Sequence, residues 1–317
     1  MTVSEIQDFL ARKYKNTDIK FIGAGSDSYA FKVGKLVCRF SMRDKDIFIK
    51  ESQVCDFIRP YISVNIPKIE IHSIPGMFYV SHEMITGNKW SWHKFSYQPR
   101  RQNNLARGCA EFLAQLHGIN TAALLRAIPE LRSGIPYIDF SVVRDSLSRF
   151  MSPGQLSFFE KNYRRIITAP VKESDMVLVH LGLKGANSVT DDDGNLSGVF
   201  DFCNCGIYER GRDLVLMSLS RNRPLYRAFI KEYEKRSGVR VDKKRVNDLR
   251  AVEFLWQKRW FYNGQFCPLN DRFLKKNIAG ALARFHKLPR FAAGVIYARL
   301  MLNGWIRKQT SRARLKK

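Results

Sequence analysis

The hydrophobic period of this chain changes near Gly87, and that change limits the folds open to it. Between residues 19 and 84 the apolar residues fall in short runs with strand character: KFIGAG, SYAFKV, LVCRFS, KIEIHS and MFYVSHEMI. Gly34 with Lys35, and Pro75 with Gly76, read as tight hairpin turns between neighbouring runs. One helical stretch interrupts them, KDIFIKESQVCDFIRPYI, where Phe48, Val54, Phe57 and Ile58 share a face. A short helix precedes the strands, marked by Val3, Ile6, Phe9 and Leu10. Beyond Gly87 the spacing turns helical. Leu105, Cys109, Phe112, Leu113 and Leu116 make one stripe that stops near Gly118. Neither a single sheet nor a single bundle accommodates both halves. The pattern predicts an α+β fold, with a small antiparallel β lobe over residues 1–86 and a larger, mainly helical lobe over residues 87–317. A length of 317 residues suits two lobes of roughly 100 and 200 residues.

The helical half contains one island of strand pattern, LVHLGLKGANSVTDDDGNLSGVFDF, with helices expected after it to the end. Asp193 and Gly194 sit between its two apolar runs, a strong hairpin signal. The first run follows Asn187 and the second ends at Asp201. A hairpin sets the entry of one strand beside the exit of the other, so these two residues are expected together at its open end. An amide oxygen beside a carboxylate suits Mg²⁺, with phosphate and water completing the shell. Asn187 capping a turn and Asp201 capping a strand is the structural alternative. In the first half, the small-residue turn GAGSDS lies between two strands, where backbone N–H groups can approach phosphate. Arg39 follows on the next strand, and Glu51 on the next helix is its natural ion-pair partner.

In order and spacing these pieces resemble the bacterial aminoglycoside phosphotransferase family, within the wider protein-kinase-like fold. The resemblance covers roughly residues 19–220. It implies that Gly23, Gly25, Ser26 and Ser28 cover nucleotide phosphates, that Arg39 paired to Glu51 grips them, and that Glu83 lies in the hinge segment HEMITG. It implies a two-lobed fold binding ATP or GTP, with Mg²⁺ held by Asn187 and Asp201. His180 opens the catalytic-loop equivalent HLGLKGAN, where the resemblance implies a buried histidine that orders the loop. Lys184 stands where a lysine would meet the transferred phosphate, and Asp213 fits the family's next acidic position. Two residues after the loop histidine the family has an aspartate that accepts the substrate hydroxyl's proton. Here that residue is Gly182, a vacant base position. The strand lysine is replaced by Arg39, the glycine after Asp201 and Phe202 by Cys203, and the usual acid after it by Asn204. Three readings follow: a degenerate, nucleotide-binding pseudokinase or very weak phosphotransferase; a working ATP-dependent small-molecule kinase using another acid or a substrate-assisted route; and a non-catalytic binding protein.

Charge bears on the partner. The net charge is +25 with pI near 10, which disfavours polycationic ligands such as aminoglycosides and suits an anionic sugar, glycolipid or nucleotide-like hydroxyl acceptor. The acidic stretches that could offset this are residues 191–193 and 209–213. Residues 272–317 carry thirteen Lys and Arg and no Asp or Glu. Within them Val295, Ala298, Leu302 and Trp305 share a helical face, a pattern that suits peripheral contact with an anionic membrane as well as a core helix with a solvated end. No zinc module or RNP-type motif accompanies the charge, so nucleic acid is not the expected partner. Trp90, Trp92 and His93 follow the hinge, where docking onto the helical lobe is expected over stacking on a ligand. His117 is expected to pack or cap its helix. No apolar run approaches ~18 residues, and the first residues have neither the apolar core nor the cleavage site of a leader. The six cysteines lack paired spacing. The expectation is a cytoplasmic chain with reduced, buried thiols, in membrane-peripheral contact if the tail acts as above.

Overall fold

The computed structural model describes residues 2–24, 28–41, 45–91, 98–132, 139–149, 151–218, 223–255, 261–262, 265–266, 271–286, 288, 292–298 and 300. Gly25, Ser26, Trp92, His93, Leu302 and Trp305, singled out above, and Cys267, the sixth cysteine, lie outside these residues. By compactness the chain divides into two units, Met1–Gly134 with Lys172–Asp242, and Ile135–Val171 with Lys243–Lys317.

The first unit opens with helix α1 (Val3–Lys13), started by a capping box between Thr2 and Glu5. Strands β1 (Ile19–Ala24), β2 (Ser28–Val33) and β3 (Leu36–Ser41) follow, then helix α2 (Asp46–Ile58), then β4 (Glu70–Ile74) and β5 (Met77–Glu83). This is the expected sequence of three strands, a helix and two strands. The strands form one antiparallel sheet in the order β1-β2-β3-β5-β4. Gly34 and Gly76 turn the two expected hairpins at φ of 58° and 75°, a region glycine enters without steric cost. Phe31, Val33, Cys38, Phe40 and Tyr79 are buried on one sheet face with Ile6 and Leu10 of α1. Arg39 is one residue out of step with Cys38 and Phe40, so it belongs to the opposite face.

Helix α3 (Pro99–His117) buries Leu105, Cys109, Phe112, Leu113 and Leu116, the stripe read from the sequence, and ends at Gly118. Helix α4 (Thr121–Ala127) follows. Helices α5 (Phe140–Ser148) and α6 (Pro153–Ile167) belong to the second unit. The chain then returns to the first unit with β6 (Met176–Val179), β7 (Ser188–Thr190), β8 (Leu196–Val199) and β9 (Gly206–Glu209), and helices α7 (Gly211–Ser218) and α8 (Arg223–Ser237). β7 and β8 form the hairpin predicted around Asp193 and Gly194. β9 corrects the expectation that only helices follow residue 202. It pairs antiparallel with β6, Leu178 opposite Ile207. A four-residue strand just after a turn carries too little alternation to be seen in sequence. The second unit continues with α9 (Lys243–Val252), the short strand pair β10 (Phe261–Tyr262) and β11 (Gln265–Phe266), which also departs from the all-helical expectation, and α10 (Asp271–Phe285).

All five described cysteines are buried free thiols. No helix among the described residues is long and apolar enough to cross a membrane.

Candidate functional site

The sheet supplies the first pair. Arg39 on β3 donates from Nη1 to both carboxylate oxygens of Glu51 on α2, at 3.0 and 2.8 Å. Glu51 is fully buried, yet it does more than pair with arginine. It also accepts from the backbone N–H of Phe202 at 2.9 Å and from the thiol of Cys203 at 3.0 Å. Arg39 Nη2 in turn donates to Cys203 Sγ at 3.1 Å and lies 3.9 Å from the Asp201 carboxylate. The ring of Phe48 lies 4.7 Å from the guanidinium carbon. Burial opposes the charge on Arg39, but Glu51, Cys203 and Asp201 together hold its pKa above the ordinary arginine value. Burial, reinforced by Glu51, pushes the Cys203 thiol well up, so it stays protonated.

The hairpin supplies the second pair. Ser188 pairs with Val199, and Phe200 N–H donates to the Asn187 carbonyl at 2.9 Å, which carries the pairing to the residue before Asp201. Backbone bonds anchor the hairpin to the segments around Asn65 and Asn88. Asp201 takes φ of 69°, a left-handed conformation uncommon outside glycine. Position 203, where the resembling family has glycine, is not among the positive-φ residues, which explains why cysteine fits there. Burial raises the Asp201 pKa, partly opposed by Arg39, although the side chain keeps 39% of its exposure. An amide oxygen and a carboxylate are the hard donors that Mg²⁺ takes, so the chemistry of Asn187 and Asp201 fits that ion.

A third group holds the loop between β6 and β7. The fully buried Asp213 accepts from the backbone N–H groups of His180 and Leu181 at 2.8 and 2.7 Å, and from His117 Nε2 at 3.2 Å. His117 Nδ1 meets the Tyr233 hydroxyl at 2.8 Å. Arg210 donates to the same hydroxyl at 3.0 Å and to Asp175 at 2.7 Å. Burial works to raise the Asp213 pKa. The hydrogen bond and charge of His117, with His180, outweigh it and hold the carboxyl below its usual value. His180 is fully buried, edge-on to Phe112 and Phe202, and burial lowers its pKa. Inside the loop, Asn187 Nδ2 donates to the Gly182 carbonyl at 3.0 Å. One end of that amide therefore shapes the loop, and its oxygen is the end that suits a cation.

The remaining expected residues are placed as follows. Ser28 is buried at the start of β2, and Gly23 lies at a bulge in β1. Glu83 is exposed at the end of β5, and its carbonyl accepts from the His82 ring at 2.8 Å. Lys184 is exposed, and its charge favours the ionised form of Asp201. Trp90 is buried and donates to the Ser188 hydroxyl at 3.1 Å, in keeping with docking. His117 corrects the capping alternative, since its ring joins Asp213 to Tyr233. Sequence reading had no signal for Tyr233 or for the sulfur bridge at Cys203. The direct hold on the loop backbone comes from Asp213.

The family model described as the phosphotransferase enzyme family matches residues 18–255. Among solved structures, the GDP and kanamycin complex of an APH(2")-type enzyme superposes with a TM-score of 0.66 at 17% identity, over 89% of this chain and 97% of that one. An ADP-bound aminoglycoside phosphotransferase, APH(2'')-Ib, gives 0.61 at 20% identity, over 89% and 97%. A macrolide 2'-phosphotransferase from Brachybacterium faecium gives 0.59 at 14% identity, over 94% and 98%. At these identities the likeness is one of fold.

Proposed function

Because this chain belongs to the phosphotransferase enzyme family, that of the aminoglycoside phosphotransferases with their protein-kinase-like fold, we propose that it is a nucleotide-binding member whose catalytic base is missing: a pseudokinase or a very slow phosphotransferase. Relatives crystallised with GDP and ADP support a nucleotide in this site. Gly23 and Ser28 flank the turn assigned to its phosphates, and Glu83 is assigned to the hinge beside its base. Arg39 with Glu51 brings positive charge to the phosphate side. Asn187 and Asp201 would hold Mg²⁺, which when bound neutralises phosphate charge. Lys184 is the cation assigned to the transferred group.

The observation that carries this reading is the hydrogen bond from Asn187 to the Gly182 carbonyl. It keeps the loop built around a residue with no side chain. In transfer, the acceptor oxygen attacks the terminal phosphorus as the bond to the nucleoside diphosphate breaks, and the hydroxyl proton must leave. Gly182 offers nothing to take it. His180 does not replace it, because its ring is sealed between Phe112 and Phe202. Positioning and charge still supply most phosphoryl-transfer catalysis, so slow turnover is compatible with the site. The second reading, a working kinase with a substrate-assisted route, draws support from the same intact loop.

For the acceptor, the candidate acidic stretches are spoken for. Asp191 binds Asn195, Asp192 accepts from Asn88, and Asp193 pairs with Arg100, while Glu209 and Asp213 are buried. With a net charge of +25, this supports a hydroxyl on an anionic or neutral molecule rather than a polycation. The basic tail adds contact with anionic lipid, supported by the 66% exposure of Val295; flotation with anionic vesicles, with and without residues 292–317, tests it. For the nucleotide reading, the test is an ADP-release assay beside calorimetric titration of ATP and GTP. Binding with turnover far below ~1 s⁻¹ is expected. Turnover at or above that rate refutes the loss of catalysis and favours the working kinase.

A further inference from the structure

Glu51, Asp201 and Cys203 each offer a donor atom within 4.8 Å of the others. What joins them is a side chain of the protein itself, Arg39. A lysine on this strand would end in one compact ammonium. Arginine's planar fork instead presents separate donors to separate acceptors. Nη1 takes both Glu51 oxygens, and Nη2 takes Cys203 Sγ, with Asp201 Oδ1 3.9 Å away.

The thiol makes this arrangement possible without a further charge. Protonated sulfur donates to Glu51 Oε2 and accepts from Arg39 Nη2, so it closes a ring of hydrogen bonds through one neutral atom. Glycine at 203 would leave Nη2 without that partner. The Phe202 N–H holds Glu51, and the Phe48 ring lies against the guanidinium. The side chain of Arg39 keeps 13% of its exposure, so its charge is set in place beside Asp201 before any ligand arrives.

We propose that Arg39, latched by Cys203, is the resident cation of this site, and that nucleotide binding therefore depends only weakly on a divalent metal. An ion on Asp201 would stand close to that fixed positive charge and be weakened by it. The phosphates draw their compensation chiefly from the guanidinium, and an ion on Asn187 and Asp201 adds little to it. This rests on the nucleotide reading above.

The test is calorimetric titration of ATP and ADP into the full chain, once with excess Mg²⁺ and once with excess chelator. Chelation is expected to change the wild-type Kd by less than about threefold. In the double variant Cys203→Gly with Arg39→Lys, checked for folding by circular dichroism, the difference is expected to open to about tenfold or more. Cys203→Ser, which keeps a small donor and acceptor, is expected to open a smaller difference than the double variant does. Wild-type binding that weakens tenfold or more on chelation, about 1.4 kcal/mol, overturns the inference and leaves the nucleotide reading standing. No binding under either condition overturns the nucleotide reading itself. If the double variant does not fold, the wild-type titrations decide alone.

Discussion

On the proposed reading, replacing Gly182 with aspartate supplies the proton acceptor that transfer needs. The structure sets the cost. A Cβ at 182 would stand 3.0 Å from Asn187 Nδ2 and 3.1 Å from two atoms of the His180 ring. These contacts are tight, and each neighbour must give by a few tenths of an ångström. Gly182 is not among the positive-φ glycines, so a side chain adds no left-handed strain. Crowding of this kind costs about 1–3 kcal/mol, and loss of glycine's freedom in the unfolded chain returns about 0.4–1 kcal/mol. At roughly 2–4 °C per kcal/mol, the thermal midpoint should fall by no more than about 10 °C. A general base contributes about 10²–10⁴-fold, which is about 2.7–5.4 kcal/mol of barrier. Arg39 and Cys203 remain unchanged, so the lower end, about a hundredfold, is expected. A coupled ADP-release assay with water as acceptor reads this without knowledge of the natural substrate. A folded Gly182→Asp protein that still binds ATP but gains nothing would refute the reasoning. The absent carboxylate would then not be what separates this site from an active one.

Glu51→Ala should be severely destabilising, by about 3–5 kcal/mol in chemical denaturation, because it strands the Arg39 charge against a buried gap. Asp213→Asn should cost about 1–3 kcal/mol, with a specific pH signature. The wild-type carboxyl is held below its usual pKa, so its contribution is complete above that value and lost as pH falls through the lowered one. The stability difference between wild type and variant should stay flat from about pH 7 to 5 and narrow below about pH 3.9. A flat difference down to the acid limb would contradict the assignment. Gly185→Ala should be poorly tolerated, since its Cβ would lie 1.9 Å from the Trp90 carbonyl oxygen, whereas Gly280→Ala in α10 meets nothing within 4 Å and should stabilise by about 0.5–1 kcal/mol in a thermal melt.

The sequence made much of this site legible because its residues sit where local patterns change. The hairpin was readable from Asp193 and Gly194 between two apolar runs, and it carried Asn187 and Asp201 with it. Arg39 and Glu51 were readable because a strand and the following helix pack face to face. His117, Tyr233 and Arg210 were not, because their meeting depends on α3, α8 and β9 converging from distant segments. β9 itself is too short to announce its period. The Cys203 bridge was hidden for another reason. The sequence marks Cys203 only as a reduced, buried thiol, and only the approach of β3 and α2 to the segment after β8 shows a neutral thiol linking arginine to glutamate.

The most direct test of the nucleotide site is calorimetric titration of ATP into wild-type protein and into a folded Arg39→Met variant. Saturable binding of one nucleotide per chain, weakened at least about tenfold in the variant, is the expected result. Absence of saturable binding by folded wild-type protein, or equal affinity in the two, would contradict it.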